Sequence, residues 1–159
     1  MSAMKKILIV LLVAFVIIQF FPIDKTNPPV TKGMDFLISK QTPEPIAQKI
    51  RNSCYDCHSN ESRYPWYAYV QPTAWLLKKH IEDARTKLNF STFATYEPKR
   101  QAHKLEESAE EIENGNMPME SYLLGHPEAK FSPEDMKMVV DYFKKVEMET
   151  RIKYNLQPH

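Results

Sequence analysis

The sequence predicts an all-α protein, one small helical domain behind an apolar N-terminal helix, and three observations predict it. Glycine is scarce, at 3 in 159 residues, while proline is plentiful at 12. That balance disfavours a turn-rich β-sandwich and suits helices separated by stiff loops. Apolar side chains also recur at helical spacing, as in Met136, Val139, Val140, Phe143 and Val146. Helix-start signatures precede such stripes. The fullest is Ser132-Pro133-Glu134-Asp135, with a cap, a proline at the first helical position and two acids at the positive end of the helix dipole. With 43% hydrophobic and 26% charged residues, the chain fits one globular domain plus a tail and excludes collagen-like, disordered and multi-span membrane classes. A net charge of +1, with no basic block beyond Lys5-Lys6, removes the surplus that a nucleic-acid partner requires.

Residues 1–23 form the first element. Met1-Ser2-Ala3-Met4-Lys5-Lys6 precedes Ile7 to Phe21, a run whose one polar member is Gln19. At about 1.5 Å per residue the run covers roughly 22 Å, or roughly 26 Å through Ile23, against about 30 Å of hydrocarbon. Two readings remain: a cleaved signal peptide, and an uncleaved transmembrane anchor whose lysines stay at the cytoplasmic interface. Phe20-Phe21-Pro22-Ile23-Asp24 has no small-residue cleavage site and no nearby cysteine can carry a lipid, which favours the anchor. Lysines inside put the remainder outside the cytoplasmic membrane. Residues 24–40, with Pro28, Pro29 and Gly33, lack sustained periodicity and read as a linker holding a 41–154 domain off the bilayer. Residues 155–159 are a tail.

Thr42-Pro43-Glu44-Pro45 starts a short helix, Thr42 as its cap and Ile46 and Ile50 on one face. It delivers the chain's 2 cysteines in Cys54-Tyr55-Asp56-Cys57-His58. C-x-x-C-H is the pattern of covalent haem c attachment. Two residues between the thiols let one turn of backbone reach both vinyl groups of a porphyrin, and the adjacent imidazole is placed beneath the iron. Rival readings are weaker. A structural zinc site wants four N or S ligands, with a second Cys pair or a His pair that the chain lacks. A redox dithiol has no use for His58 and usually sits in a βαβ pattern. A disulfide across two residues is a strained staple.

Tyr64, Trp66, Tyr67, Tyr69 and Trp75 crowd together past the motif. A flat porphyrin needs flat apolar walls, so Tyr64, Trp66, Tyr67 and Trp75 are expected to line the haem. Pro72 to Leu88 reads as a helix ended by Asn89-Phe90-Ser91, and periodicity in Leu105 to Glu113 stops at the C-cap signature Asn114-Gly115. Pro118 then biases Met117 toward an extended conformation, so a stiff loop presents one thioether to the iron. A methionine opposite a histidine raises the reduction potential and favours electron transfer. Met136 is explained by packing in the last helix, which runs to about Lys153, and Met138 and Met148 have no special context. Met119 and His126, the latter in Gly125-His126-Pro127, stay open as alternatives to Met117; His80 and His103 read as surface residues, and His159 is terminal.

Cys54-Tyr55-Asp56-Cys57-His58-Ser59-Asn60, Tyr64-Pro65-Trp66-Tyr67, Gln71-Pro72, Trp75, His80, Leu88-Asn89-Phe90-Ser91, His103-Lys104-Leu105-Glu106-Glu107 and Met117-Pro118 with Tyr122 and His126 together resemble the bacterial monohaem haem-binding domain family. These are small, exported or membrane-anchored c-type cytochromes, and the resemblance spans about residues 40 to 148. It implies a cytochrome c-like helical domain wrapped round one covalent haem held by Cys54 and Cys57, with iron ligated by His58 and Met117.

The function expected is one-electron transfer outside the cytoplasmic membrane, between a redox-protein donor and acceptor and without a small-molecule substrate. A closed His58/Met117 pair leaves no site for catalysis. Two alternatives stand beside this reading: a peroxidase-like haem enzyme using His103 or His126 as acid-base group, and a haem sensor or subunit of a respiratory complex.

Overall fold

The computed structural model describes residues 2–157, which contain helices and no strand. The α-helices are α1 (Ala3–Ile18), α2 (Phe36–Ser39), α3 (Glu44–Ile50), α4 (Asp56–His58), α5 (Thr73–Lys87), α6 (Pro98–Glu113), α7 (Glu120–Leu123) and α8 (Pro133–Tyr154). A π-type turn, Arg51–Tyr55, joins α3 to α4. His159 lies outside the described residues.

Helices α6 and α8 form the frame. Glu106 meets Arg151 at 3.0 Å and Glu113 meets Lys144 at 2.7 Å, so the two helices run antiparallel. Between them Leu105, Ala109 and Ile112 of α6 and Val139, Val140, Phe143 and Val146 of α8 are buried. The start of α8 is the capping box read from sequence: Ser132 Oγ accepts from the Asp135 N–H at 3.0 Å and the Ser132 N–H donates back to Asp135 Oδ2 at 3.4 Å. Lys49 Nζ, on α3, donates to the same carboxylate at 2.7 Å and ties α3 to this end. Asn114 and Gly115 end α6 as expected, Gly115 holding a φ of +72° that only glycine adopts without strain.

Two expectations are corrected. Residues 24–40 are no spacer. Phe36 is fully buried at the centre of the core, its ring within 5.8 Å of Phe90, Phe93 and Phe143. Asp35 caps α2 and accepts from Tyr55 Oη at 3.0 Å. Upstream, Arg85 donates to Asn27 Oδ1 at 2.8 Å and Asn60 donates to the Pro29 carbonyl at 3.0 Å. The segment lacks period because these polar contacts, and not an apolar stripe, hold it. Thr42 is not the cap of α3; Pro43 takes that position, and Thr42 Oγ1 accepts from Tyr142 Oη at 2.8 Å.

α1 has 16 residues, about 24 Å of helix, and no helix among the described residues is long and apolar enough to cross a membrane. None of its side chains is buried. The N–H groups of Gln19, Phe20 and Phe21 bond to the carbonyls of Val16, Ile17 and Ile18, which carries the spiral three residues past α1. Gln19 then clamps Gln71, donating to its carbonyl at 3.1 Å and accepting from its N–H at 2.9 Å, and Trp75 Nε1 donates to the Phe21 carbonyl at 3.0 Å.

Candidate functional site

α3 and the π-type turn bring Cys54, and α4 brings His58, to the wall of a cavity of about 510 Å³. Met117 and Pro118 reach the same cavity from the loop after α6, with Ile112, Leu88, Phe90, Phe131 and Phe143 as its apolar lining. Cys54 and Met117, 63 positions apart in the numbering, both pack half-buried against the core. The exit from α6 sets Met117: the Asn116 and Met117 N–H groups both donate to the Glu111 carbonyl, at 2.9 and 3.1 Å. Met119 is an exposed residue outside this lining, so of the two thioethers only that of Met117 faces the cavity.

His58 is oriented by the end of α5. Its Nδ1 lies 3.0 Å from the Leu88 carbonyl. A carbonyl only accepts, so Nδ1 carries the proton and Nε2 keeps its lone pair. Burial holds His58 below its ordinary range, outweighing the opposing backbone bonds. A neutral imidazole whose far nitrogen is fixed by a carbonyl is the metal-ligating form.

Cys54 and Cys57 are free, half-buried thiols. Burial pushes Cys54 up to about 12 and Cys57 up to about 11. A catalytic dithiol shows the reverse, a depressed thiol. No group of three or more His, Cys, Asp or Glu side chains is gathered for a metal among the described residues, so the zinc reading gains no second ligand pair. Cys57 is not among the residues lining the cavity.

Asp56, inside the motif, is a site residue that sequence reasoning missed. It is buried and accepts from Arg63 Nε at 3.0 Å, from the Arg63 N–H at 3.1 Å and from Tyr122 Oη at 2.8 Å. Burial, with that hydrogen bond, raises the Tyr122 phenol. Just beyond, Arg85 Nε donates to the Ser59 carbonyl at 2.7 Å and the Asn60 N–H donates to Ser91 Oγ at 3.0 Å. The peptide around the two cysteines is therefore braced on both sides.

The aromatic walls differ from expectation. Tyr64, Trp66, Tyr67 and Trp75 do not line this cavity; Phe90, Phe131 and Phe143 do. Trp66 is 76% exposed, and Trp75 hydrogen-bonds the end of the N-terminal spiral. The 66–69 turn packs on α5. Tyr67 Oη meets His126 Nε2 at 3.0 Å, and the His126 ring stacks on Tyr122 with centroids 4.3 Å apart. His126 is thus engaged outside the cavity lining.

One imidazole with its proton on Nδ1, one thioether and one thiol share a cavity with apolar walls that is also lined by Lys87, Lys104, Glu107, Glu110 and Glu111, with a second thiol three residues from the first. This donor set fits a thioether-linked iron porphyrin better than a zinc ion or a reactive dithiol. Residues 13–145 match the model of a family described as haem-binding domain. No curated protein and no solved structure matches the chain.

Proposed function

Since the chain belongs to the haem-binding domain family, we propose that it is a one-electron carrier, a monohaem c-type cytochrome held at the bacterial inner membrane by α1 with its haem domain in the periplasm. The observation that carries this reading is the meeting of Cys54, His58 and Met117 at one cavity. Cys54 and Cys57 would hold the porphyrin through thioethers, and His58 Nε2 and Met117 Sδ would hold its iron. When bound, the haem supplies an iron that alternates between ferrous and ferric.

The chain's own residues do the rest. The Leu88 carbonyl fixes the imidazole tautomer, and Phe90, Phe131 and Phe143 keep water from the site. Lys87 stands in the cavity lining and would offer a cation to a porphyrin carboxylate, whereas Lys104 in the same lining is already paired with Glu107. With the iron held by both His58 and Met117 there would be no place for a small substrate, so the reading is a carrier between redox proteins and not an enzyme. Residues 7–21, with lysines behind them and Phe20 and Phe21 at the far end, support insertion of the N-terminal segment.

The test is an intact mass together with a spectrum of the full chain matured in a c-type haem background. The expected mass is that of the polypeptide plus one haem. The ferric near-infrared band of methionine ligation should be present in wild type and in Met119→Ala and absent in Met117→Ala. A bare polypeptide mass ends the proposal, and a band that survives Met117→Ala removes Met117 from it.

A further inference from the structure

The two tryptophans of the chain, Trp66 and Trp75, lie on one end of the domain and both face solvent, 76% and 40% exposed. Tyr69 and Leu76 beside them are 64% and 57% exposed. None of the four lines the cavity. Apolar and aromatic side chains gathered at one face mark an interaction surface more often than isolated exposed residues do.

Where this face sits decides what it meets. Trp75 bonds the Phe21 carbonyl, Gln71 is clamped by Gln19, and Lys25 lies over the Tyr69 ring at 4.3 Å. The patch is therefore fastened to the exit of α1, and it prolongs the exposed apolar surface of that helix through Phe20 and Phe21. Tryptophan and tyrosine with an adjoining lysine suit the headgroup level, where one end of each side chain is apolar and the other wet. Length points the same way. An α1 of about 24 Å falls short of a hydrocarbon core of about 30 Å, a shortfall that pulls whatever is fastened to its end into the interface.

We propose that the face formed by Trp66, Tyr69, Trp75 and Leu76 seats the domain on the outer surface of the lipid bilayer, as a continuation of α1. It rests on the anchor reading of α1 given above. The domain is then not suspended on a tether; its tilt against the membrane is fixed by the Gln19–Gln71 clamp and this aromatic face.

The test uses the haem-loaded full chain in vesicles of phosphatidylethanolamine and phosphatidylglycerol. A membrane-dissolved diazirine probe is photolysed, and labelled peptides are mapped by mass spectrometry. Expected is labelling of residues 7–21 and of residues 66–76, the latter several-fold above the exposed end of α8. In Trp66→Ser/Tyr69→Ser, two exposed positions whose loss leaves the core intact, labelling at 74–76 should fall while that at 7–17 stays. Labelling of 7–21 with residues 66–76 at the α8 level overturns the proposal and leaves the anchor standing; it would assign the face to a protein partner. Labelling of neither segment sinks the anchor and this inference together.

Discussion

At the scale of single residues, the carboxylate of Asp56 ties the peptide between the two cysteines to Arg63 and Tyr122. It is buried, and it is satisfied by Arg63 from seven positions on and by Tyr122 from sixty-six. Removing it leaves a half-buried phenol and a guanidinium without their acceptor, at a cost of about 2 kcal/mol, while Tyr122→Phe costs about 1 kcal/mol. Urea unfolding of the haem-loaded protein should show that Asp56→Ala/Tyr122→Phe costs less than the two single losses added, because both remove the same bond. Full additivity would mean that the two groups do not act together. Cys54, His58 and Met117 were legible as candidates because each carries a local signal: fixed spacing for the first two, and a C-cap followed by Met-Pro for the third. An aspartate between two cysteines carries none, since its partners lie far along the chain. The aromatic cluster at 64–75 misled for a related reason: ring density marks an apolar surface but does not say whether that surface faces inward.

At the scale of elements, α8 was legible because its cap and 3.6-residue periodicity reinforce one another, and α6 was legible only from Leu105 to its C-cap, its start at Pro98 having no side-chain cap to mark it; the four residues of α2 are too few to show a period and Phe36 alone cannot announce itself as core. The start of α8 makes the sharpest pH prediction. The hydrogen bond from Lys49 and that from the Ser132 N–H hold the Asp135 carboxyl below its ordinary 3.8. Through the acid range the unfolded chain therefore binds a proton before the folded one does. The stabilisation is complete above 3.8 and is lost as pH falls through the lower folded value. Asp135→Asn should accordingly lower Tm at neutral pH, and the gap to wild type should close as the solution is acidified below 3.8. A gap constant with pH would mean that the capping geometry, and not the charge, carries the effect.

At the scale of the whole molecule, the question is what the helices do without a guest in their midst. A domain of roughly 130 residues buries a smaller share of its surface than a larger one, and here α6, α8 and the motif peptide border a shared cavity of about 510 Å³ walled by Phe90, Phe131 and Phe143. Phe90 and Phe143 already stack on each other, with centroids 6.3 Å apart, and the walls gain contacts on their cavity side only when the cavity is filled. The antiparallel α6 and α8 pair and the Phe36 cluster supply a core of their own, so the helices should not be lost outright; what should suffer is cooperativity. Cys54→Ala/Cys57→Ala, purified free of haem in detergent, is expected to keep part of its far-ultraviolet helical signal but to melt broadly, with Tm lower by on the order of 10 °C or more than the haem-loaded chain. Native helicity with a sharp transition at the wild-type temperature would show that the scaffold is complete without its tether, and that the two thiols serve attachment alone.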